Sequence, residues 1–271
     1  MAEITAKMVQ ALREKTGAGM MDCKRALTAA GGDMDAAVEN LRKSGIAKAE
    51  KKVGRATNQG KVLTAIGDGV GAIVEVLCET DFAAKTDRFA AFVKGVAADA
   101  LKLAGEGDKS AEVNENEKAN LTDKIATIGE NMQIRRALKW NAAPGSRFAS
   151  YHHMDGRVSV LVEVAGEDDP VILNDICLHI AAFNPKYIAS SDIPAAVIAK
   201  EKEIAAAADP KLANKPAEML EKILGGKIRK FFTEVCLNDQ PWVKDDKTTL
   251  AKLRPNCRVV RFVRWEVGEE L

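Results

Sequence analysis

Ile73-Val74-Glu75-Val76 and Leu161-Val162-Glu163-Val164 are near-copies, and they constrain the fold of this chain more than any other feature. Each sits in an apolar, β-branched run that reads as a buried strand, over 72–77 and 158–164. A second extended run and a turn precede each one: 61–66 with Gly67-Asp68-Gly69, and 147–153 with Asp155-Gly156. Helical stretches follow, and then a further strand, over 131–140 in one half and 258–267 in the other. Each half therefore reads as a β-hairpin, a helical insertion and a returning strand, which predicts two similar α+β subdomains. Pro144-Gly145 marks the join.

Ahead of this repeat, residues 5–44 read as three short helices. Thr5 caps the first, which carries Met8, Val9 and Leu12 on one face; Gly17-Ala18-Gly19 breaks it. Asp22 opens the second, and Gly31-Gly32 ends it. Asp33 caps the third, with Met34, Ala37, Val38 and Leu41 on its face and Gly45 as its stop. So small a bundle has a thin core and suits a recognition module on a tether. Met20 and Met21 are adjacent and cannot both face inward on a helix. One reading leaves one of them free to meet an irregular partner surface; the other has both filling gaps in a sparse core. The expected organisation is a three-helix domain over 1–46, a basic linker over 47–60 and a first core subdomain over 61–143. A second core subdomain over 144–183 and 232–271 follows, interrupted by an inserted helical hairpin over 184–231. Helices over 195–208 and from 215 to about 237, separated by Asp209-Pro210, form that hairpin, and Gly225-Gly226 marks a weak point in the second.

Several functions are disfavoured at once. A formal net charge of +1 over 271 residues gives no broad basic field for neutralising phosphates, so direct nucleic-acid binding is not expected. The five cysteines, Cys23, Cys78, Cys177, Cys236 and Cys257, lie far apart with no C-x-x-C, which fits reduced thiols and no zinc knuckle. No window approaches a membrane span and no signal core opens the chain, so a cytoplasmic location is expected. Gly67-Asp68-Gly69-Val70-Gly71 lies between two strands and lacks the G-K-[ST] ending, so it is a hairpin turn and not a phosphate loop. His152 and His153 point to opposite faces of a strand and cannot chelate one metal together. No catalytic group, cofactor or metal is expected.

The most informative corner is Cys78-Glu79-Thr80-Asp81-Phe82-Ala83-Ala84-Lys85, where the strand period gives way to the helical spacing of Phe89, Phe92, Val93 and Val96. Thr80 and Asp81 are both good N-cap residues for that helix. Phe82 lies seven residues before Phe89, so one reading packs it on the core as a staple. The other makes it a fixed wedge aimed at a partner.

Glu79-Thr80-Asp81-Phe82 after an apolar strand resembles the T-D-F signature of the bacterial elongation factor Ts family. The block from Thr16 to Leu27, containing Gly17-Ala18-Gly19-Met20-Met21-Asp22-Cys23-Lys24, resembles that family's N-terminal signature. The resemblance runs from Met1 to about Glu269. It implies a ubiquitin-associated-like N-terminal bundle and guanine-nucleotide exchange on elongation factor Tu, met in its GDP-bound and nucleotide-free forms, with no chemistry of the chain's own. By resemblance, Thr80, Asp81 and Phe82 disturb the magnesium site of the GTPase. Arg13, Met20, Met21 and Lys24 grip an outer helix. Ile128 and Gly129 form a turn beside the wedge, and Val243 makes a further contact. A histidine after the hairpin tyrosine approaches the phosphate loop; His153 is the nearer match, with His152 as the alternative. The resemblance also implies that the helical hairpin protrudes and serves protein contacts, in some members dimerisation, so a homodimer is allowed here. Two departures stand out. Lys244 occupies a position expected to be apolar, and many members continue into a C-terminal helical module where this sequence stops at Leu271, so affinity from such a module is expected to be absent or supplied by the partner's surface. A different class of function, a non-catalytic adaptor using the small bundle, would leave the T-D-F corner structural. A cysteine-based enzyme is the weakest reading, because no thiol has an evident activating neighbour.

Overall fold

The computed structural model describes residues 4–208 and 216–271. The described residues form two compact units. One runs through Asn141 and includes Met154–Val158 and Trp265–Leu271; the other comprises Ala142–His153 and Ser159–Arg264. The fold is mixed α+β, with three N-terminal helices ahead of sheets and further helices.

In the first unit, helices α1 (Ala6–Thr16), α2 (Met20–Ala29) and α3 (Met34–Glu50) enclose Val9, Leu12, Cys23, Ala26, Leu27 and Ala37. The caps follow sequence chemistry. Thr5 Oγ1 accepts the Met8 N–H at 3.3 Å, Asp33 accepts from Asp35 and Ala36, and Gly17 takes the left-handed conformation (φ 70°) that glycine tolerates without a Cβ penalty. Helix α2 begins two residues earlier than Asp22, with Gly19 at its cap. Gly45 does not stop α3. It is buried in a 17-residue helix, and a Cβ there would lie 3.2 Å from the Cβ of Ala126. Its missing side chain is what lets α6 (Ser110–Ile128) pack close. Helix α3 thus continues to Glu50, into the stretch expected to be linker, and Lys52 Nζ reaches the Ile125 carbonyl at 3.3 Å.

Strands β1 (Gln59–Gly67) and β2 (Val70–Cys78) form the expected antiparallel hairpin, and β4 (Met132–Asn141) returns antiparallel to β2. A two-residue strand β3 (Gly107–Asp108), not expected from the sequence, adds to the far side of β4, giving the order β1-β2-β4-β3. Alternate β2 residues Ala72, Val74, Val76 and Cys78 pack against Phe89, Phe92, Val93, Val96, Ala97 and Ala100 of α5 (Asp87–Lys102). Those helical residues lie on one face by their spacing. Glu75, on the opposite side of β2, is fully buried and paired with Arg135 and Arg136.

The second unit repeats the pattern: β5 (Ser146–His153), β6 (Val158–Ala165) and β7 (Arg258–Glu266) pair in the order β5-β6-β7. Helix α7 (Pro170–Phe183), capped by Asp169 with Pro170 in its first turn, lays Ile172, Leu173, Ile176, Cys177 and Ile180 against Val160, Val162 and Val164. Helices α8 (Ala195–Ala207) and α9 (Ala217–Val235) pair, burying Ala205 and Ile228, with Lys227 Nζ on the Ala205 carbonyl at 3.2 Å. Gly225-Gly226 does not interrupt α9. The expected break at Asp209-Pro210 and helix start at Lys215 lie outside the described residues. A short helix α10 (Leu250–Leu253) precedes β7.

Candidate functional site: the Thr80-Asp81-Phe82 corner and the N-terminal groove

The corner follows directly from the end of β2. Two residues after Cys78, Thr80 caps a single-turn helix α4 (Asp81–Ala84), its Oγ1 accepting the Ala83 N–H at 3.2 Å. The helix does not run on into α5. Thr86 donates its hydroxyl to the Ala83 carbonyl at 2.8 Å and then caps α5 by accepting the Phe89 N–H at 3.2 Å. Because the chain turns between the two caps, the helical spacing from Phe82 to Phe89 does not apply. Phe89 is fully buried and Phe82 is 80% exposed. The staple reading of Phe82 is therefore corrected: the ring stands in solvent while Ala83 and Ala84 fill the core beneath it.

Carboxylates hold the corner from both sides. Glu130 accepts the Thr80 N–H at 2.9 Å and the Thr80 hydroxyl at 2.6 Å. Glu79 accepts the Asn131 N–H at 2.6 Å and an Arg55 N–H at 3.4 Å, and Asn131 donates its side-chain amide to the Arg55 carbonyl at 2.8 Å. Asp81 is half-exposed and bonds Lys85 Nζ at 2.7 Å. That bond, with the charge of Lys85 and the first-turn N–H groups, holds its carboxyl below the usual range, so it presents a fixed negative charge beside the ring. Gly129 ends α6 in the left-handed conformation (φ 92°), and with half-buried Ile128 it immediately precedes Glu130. The turn thus lies against the corner.

In the N-terminal bundle, Arg13, Met20, Met21 and Lys24 come together along one groove of ≈ 830 Å³, shared with Val9, Gly17 and Arg88. Met20 and Met21 are both exposed (58% and 62%), so the reading that both fill core gaps is corrected, and not one but both side chains are free of the core. Starting α2 at Met20 explains this: both side chains belong to the helix's first turn, outside the face that carries Cys23, Ala26 and Leu27. Arg88, in the first turn of α5, donates to the Gly17 carbonyl at 3.2 Å. It lies six residues after Phe82 and places the groove in the same unit as the corner.

Sequence reading missed Arg88 and Glu130. A carboxylate directly after a helix-ending glycine was the available signal for Glu130; its partner lies 50 residues away in sequence.

In the second unit, His152 and His153 are both exposed at the end of β5, and His153 Nδ1 lies 3.3 Å from the Tyr151 hydroxyl. Val243 is half-buried against the core of that unit, and Lys244 beside it pairs with Asp175 at 3.3 Å. His179 is fully buried, stacked between Phe183 and Trp242 at 4.7 and 5.1 Å, with Nε2 3.0 Å from Gln240 Oε1. Burial pushes the thiols of Cys78 and Cys177 up to about 12, and those of Cys236 and Cys257 up to about 11. Such thiols are protonated at neutral pH and poor nucleophiles. Among the described residues, no three His, Cys, Asp or Glu side chains cluster as metal ligands, and no helix is long and apolar enough to cross a membrane.

An outward aromatic on a braced turn and a methionine-lined groove place this chain in a class: an α+β protein that presents shaped recognition surfaces. Residues 79–269 match the family described as Elongation factor TS. Elongation factor Ts of Methylococcus capsulatus is 47% identical over 279 residues, covering 98% of this chain and 92% of that protein. The elongation factors Ts of Thioalkalivibrio sulfidiphilus and Xanthomonas oryzae pv. oryzae are 44% and 45% identical, each over 98% of this chain and over 92% and 93% of their own lengths. The chain belongs to the elongation factor Ts family.

Proposed function

We propose that this protein is the guanine-nucleotide exchange factor for elongation factor Tu in translation elongation, and that it loosens GDP by disturbing the magnesium and phosphate sites of the GTPase. Family membership supports exchange on elongation factor Tu, and the exposure of Phe82 on its braced corner carries the mechanism. Linkage sets the requirement: a partner that weakens GDP binding is itself weakened by GDP by the same factor. Exchange therefore needs contacts made only when the nucleotide site is distorted. A ring held away from its own core can enter the GTPase without first breaking native packing. Asp81 brings a negative charge to a magnesium shell that bridges protein and phosphates, and loss of that ion removes much of the nucleotide's anchorage.

The remaining contacts supply affinity and register. Arg13, Met20, Met21 and Lys24 take an outer helix of the GTPase; their convergence on one groove supports that role. Ile128 and Gly129 flank the wedge. His153 approaches the phosphate loop, for which its exposure suits it better than a buried imidazole such as His179. Val243 makes a more limited contact, since part of its side chain already packs inward. The chain is read as a three-helix domain, two core subdomains and an inserted helical pair, with α3 running to Glu50 beyond the boundary expected at 46 and with α8 and α9 as a surface through which two copies can associate. The chain performs no covalent step and acts in the cytoplasm. Release of fluorescent GDP from purified elongation factor Tu, with and without this protein, tests the reading; unchanged release would refute it.

A further inference from the structure

The single turn that carries Phe82 has no stability of its own: four residues fall far short of the length at which a helix persists unaided. The Asp81–Lys85 pair on its surface is exposed and adds little. Yet a wedge works only if its ring is already where the partner requires it, because ordering it during binding would subtract from the gain. Something must fix this turn to the rest of the unit.

We propose that Glu130 is the positioning residue of the Phe82 wedge, acting through Thr80. A carboxylate can only accept, and both of its oxygens accept here, one from the Thr80 N–H and one from the Thr80 hydroxyl. The hydroxyl has one proton. Committing it to Glu130 turns an oxygen lone pair toward the Ala83 N–H, which Thr80 must cap for α4 to exist. Glu130 therefore sets the rotor of the cap as well as the place of the strand end, and Phe82 lies between Thr80 and the Ala83 N–H that it caps. Glu130 itself follows Gly129 at the end of a 19-residue helix, so the corner is tied to a long, packed element. An amide at this position cannot reproduce the pattern. A glutamine side chain would offer one acceptor oxygen for two donors, and its NH₂ would face the Thr80 N–H or donate to the hydroxyl and reverse the cap. The inference rests on the proposed exchange function, and Glu130 need not touch the partner.

The test is a double-mutant cycle on GDP release from elongation factor Tu, using the full chain and the variants Glu130→Gln, Phe82→Ala and both together. Wild type accelerates release, Glu130→Gln is about tenfold slower, as expected for losing a hydrogen bond to a charged group, and Glu130→Gln changes nothing further once Phe82 is alanine. Thr80→Val, which loses the hydroxyl, should be at least as slow as Glu130→Gln, and Thr80→Ser, which keeps it, should be faster than Thr80→Val. If wild type accelerates release and Phe82→Ala slows it while Glu130→Gln exchanges like wild type, or its loss adds in full to that of Phe82→Ala, Glu130 is not acting through the wedge. If Glu130→Gln fails to fold, the Thr80→Val and Thr80→Ser pair decides by the same criteria. If wild type itself leaves release unchanged, the exchange function falls and the inference with it.

Discussion

Glu75 and Glu163 stand at equivalent points of two sheets: each is fully buried on a middle strand, and each is bonded by the Nε of an arginine on the returning strand, Arg136 at 2.5 Å and Arg261 at 2.6 Å. Other donors complete each shell. Glu75 also accepts from Arg135 and from the Gly268 N–H at 2.7 Å, and Glu163 from the Ser146 hydroxyl and the Ala143 N–H at 2.6 Å. Burial alone would raise the Glu163 carboxyl. The Ser146, Ala143 and Arg261 bonds outweigh it, and the group sits below its ordinary range.

Removing the shared carboxylate leaves two poorly hydrated arginines short of partners. Glu75→Ala leaves Arg136 to the Glu269 carboxylate at 2.8 Å and Arg135 to the Glu269 carbonyl, with their side chains only 12% and 20% exposed. Urea unfolding should show a loss of about 3 kcal/mol. Arg136 also lies 4.2 Å from the Trp265 ring centre, so the loss should be accompanied by a change in tryptophan fluorescence.

Gly45→Leu tests the contact between α3 and α6. With Ala126 already 3.2 Å from the position of a Cβ, a larger side chain must push the helices apart. A loss of about 1–3 kcal/mol is expected from overpacking. Thermal unfolding measures the loss; an unchanged unfolding temperature would contradict the close approach of α3 and α6.

The repeat was legible in the sequence because strand alternation and the near-copy around Glu75 and Glu163 are local patterns. The caps at Thr5 and Asp33 were legible for the same reason, whereas Thr80 and Asp81 were both read as caps of the helix carrying Phe89, which Thr86 caps instead. Gly45 was misread because glycine in a helix interior and glycine beyond its end look alike until the packing partner, Ala126 on a distant helix, is known. Phe82 stayed ambiguous because its spacing to Phe89 has meaning only within one continuous helix, and the second cap at Thr86 was not recognised. The brace from Glu130 and the groove contact from Arg88 arise between distant segments, where periodicity carries no signal.

His179 gives the second unit a pH dependence. Burial lowers its value from the ordinary 6.5, opposed by the Gln240 bond, so the fold holds the ring neutral. Its stability contribution is complete above pH 6.5. It falls as pH drops from there until the folded value is passed, because only the unfolded chain takes up the proton readily. Urea midpoints measured from about pH 7.5 to about pH 5 should decline over that interval, and His179→Phe should flatten the decline.

Met20→Ala with Met21→Ala should leave thermal stability nearly unchanged, since both side chains are exposed. Calorimetry against elongation factor Tu should show weaker binding by about tenfold if the groove carries a share of the interface.

The most direct measurement is stopped-flow release of fluorescent GDP from elongation factor Tu, driven by wild type or by Phe82→Ala. Losing a desolvated anchor of about 2 kcal/mol should slow release by about thirtyfold, while the unfolding temperature stays unchanged because the ring leaves its own core untouched. Equal release rates from two equally folded proteins would contradict the account.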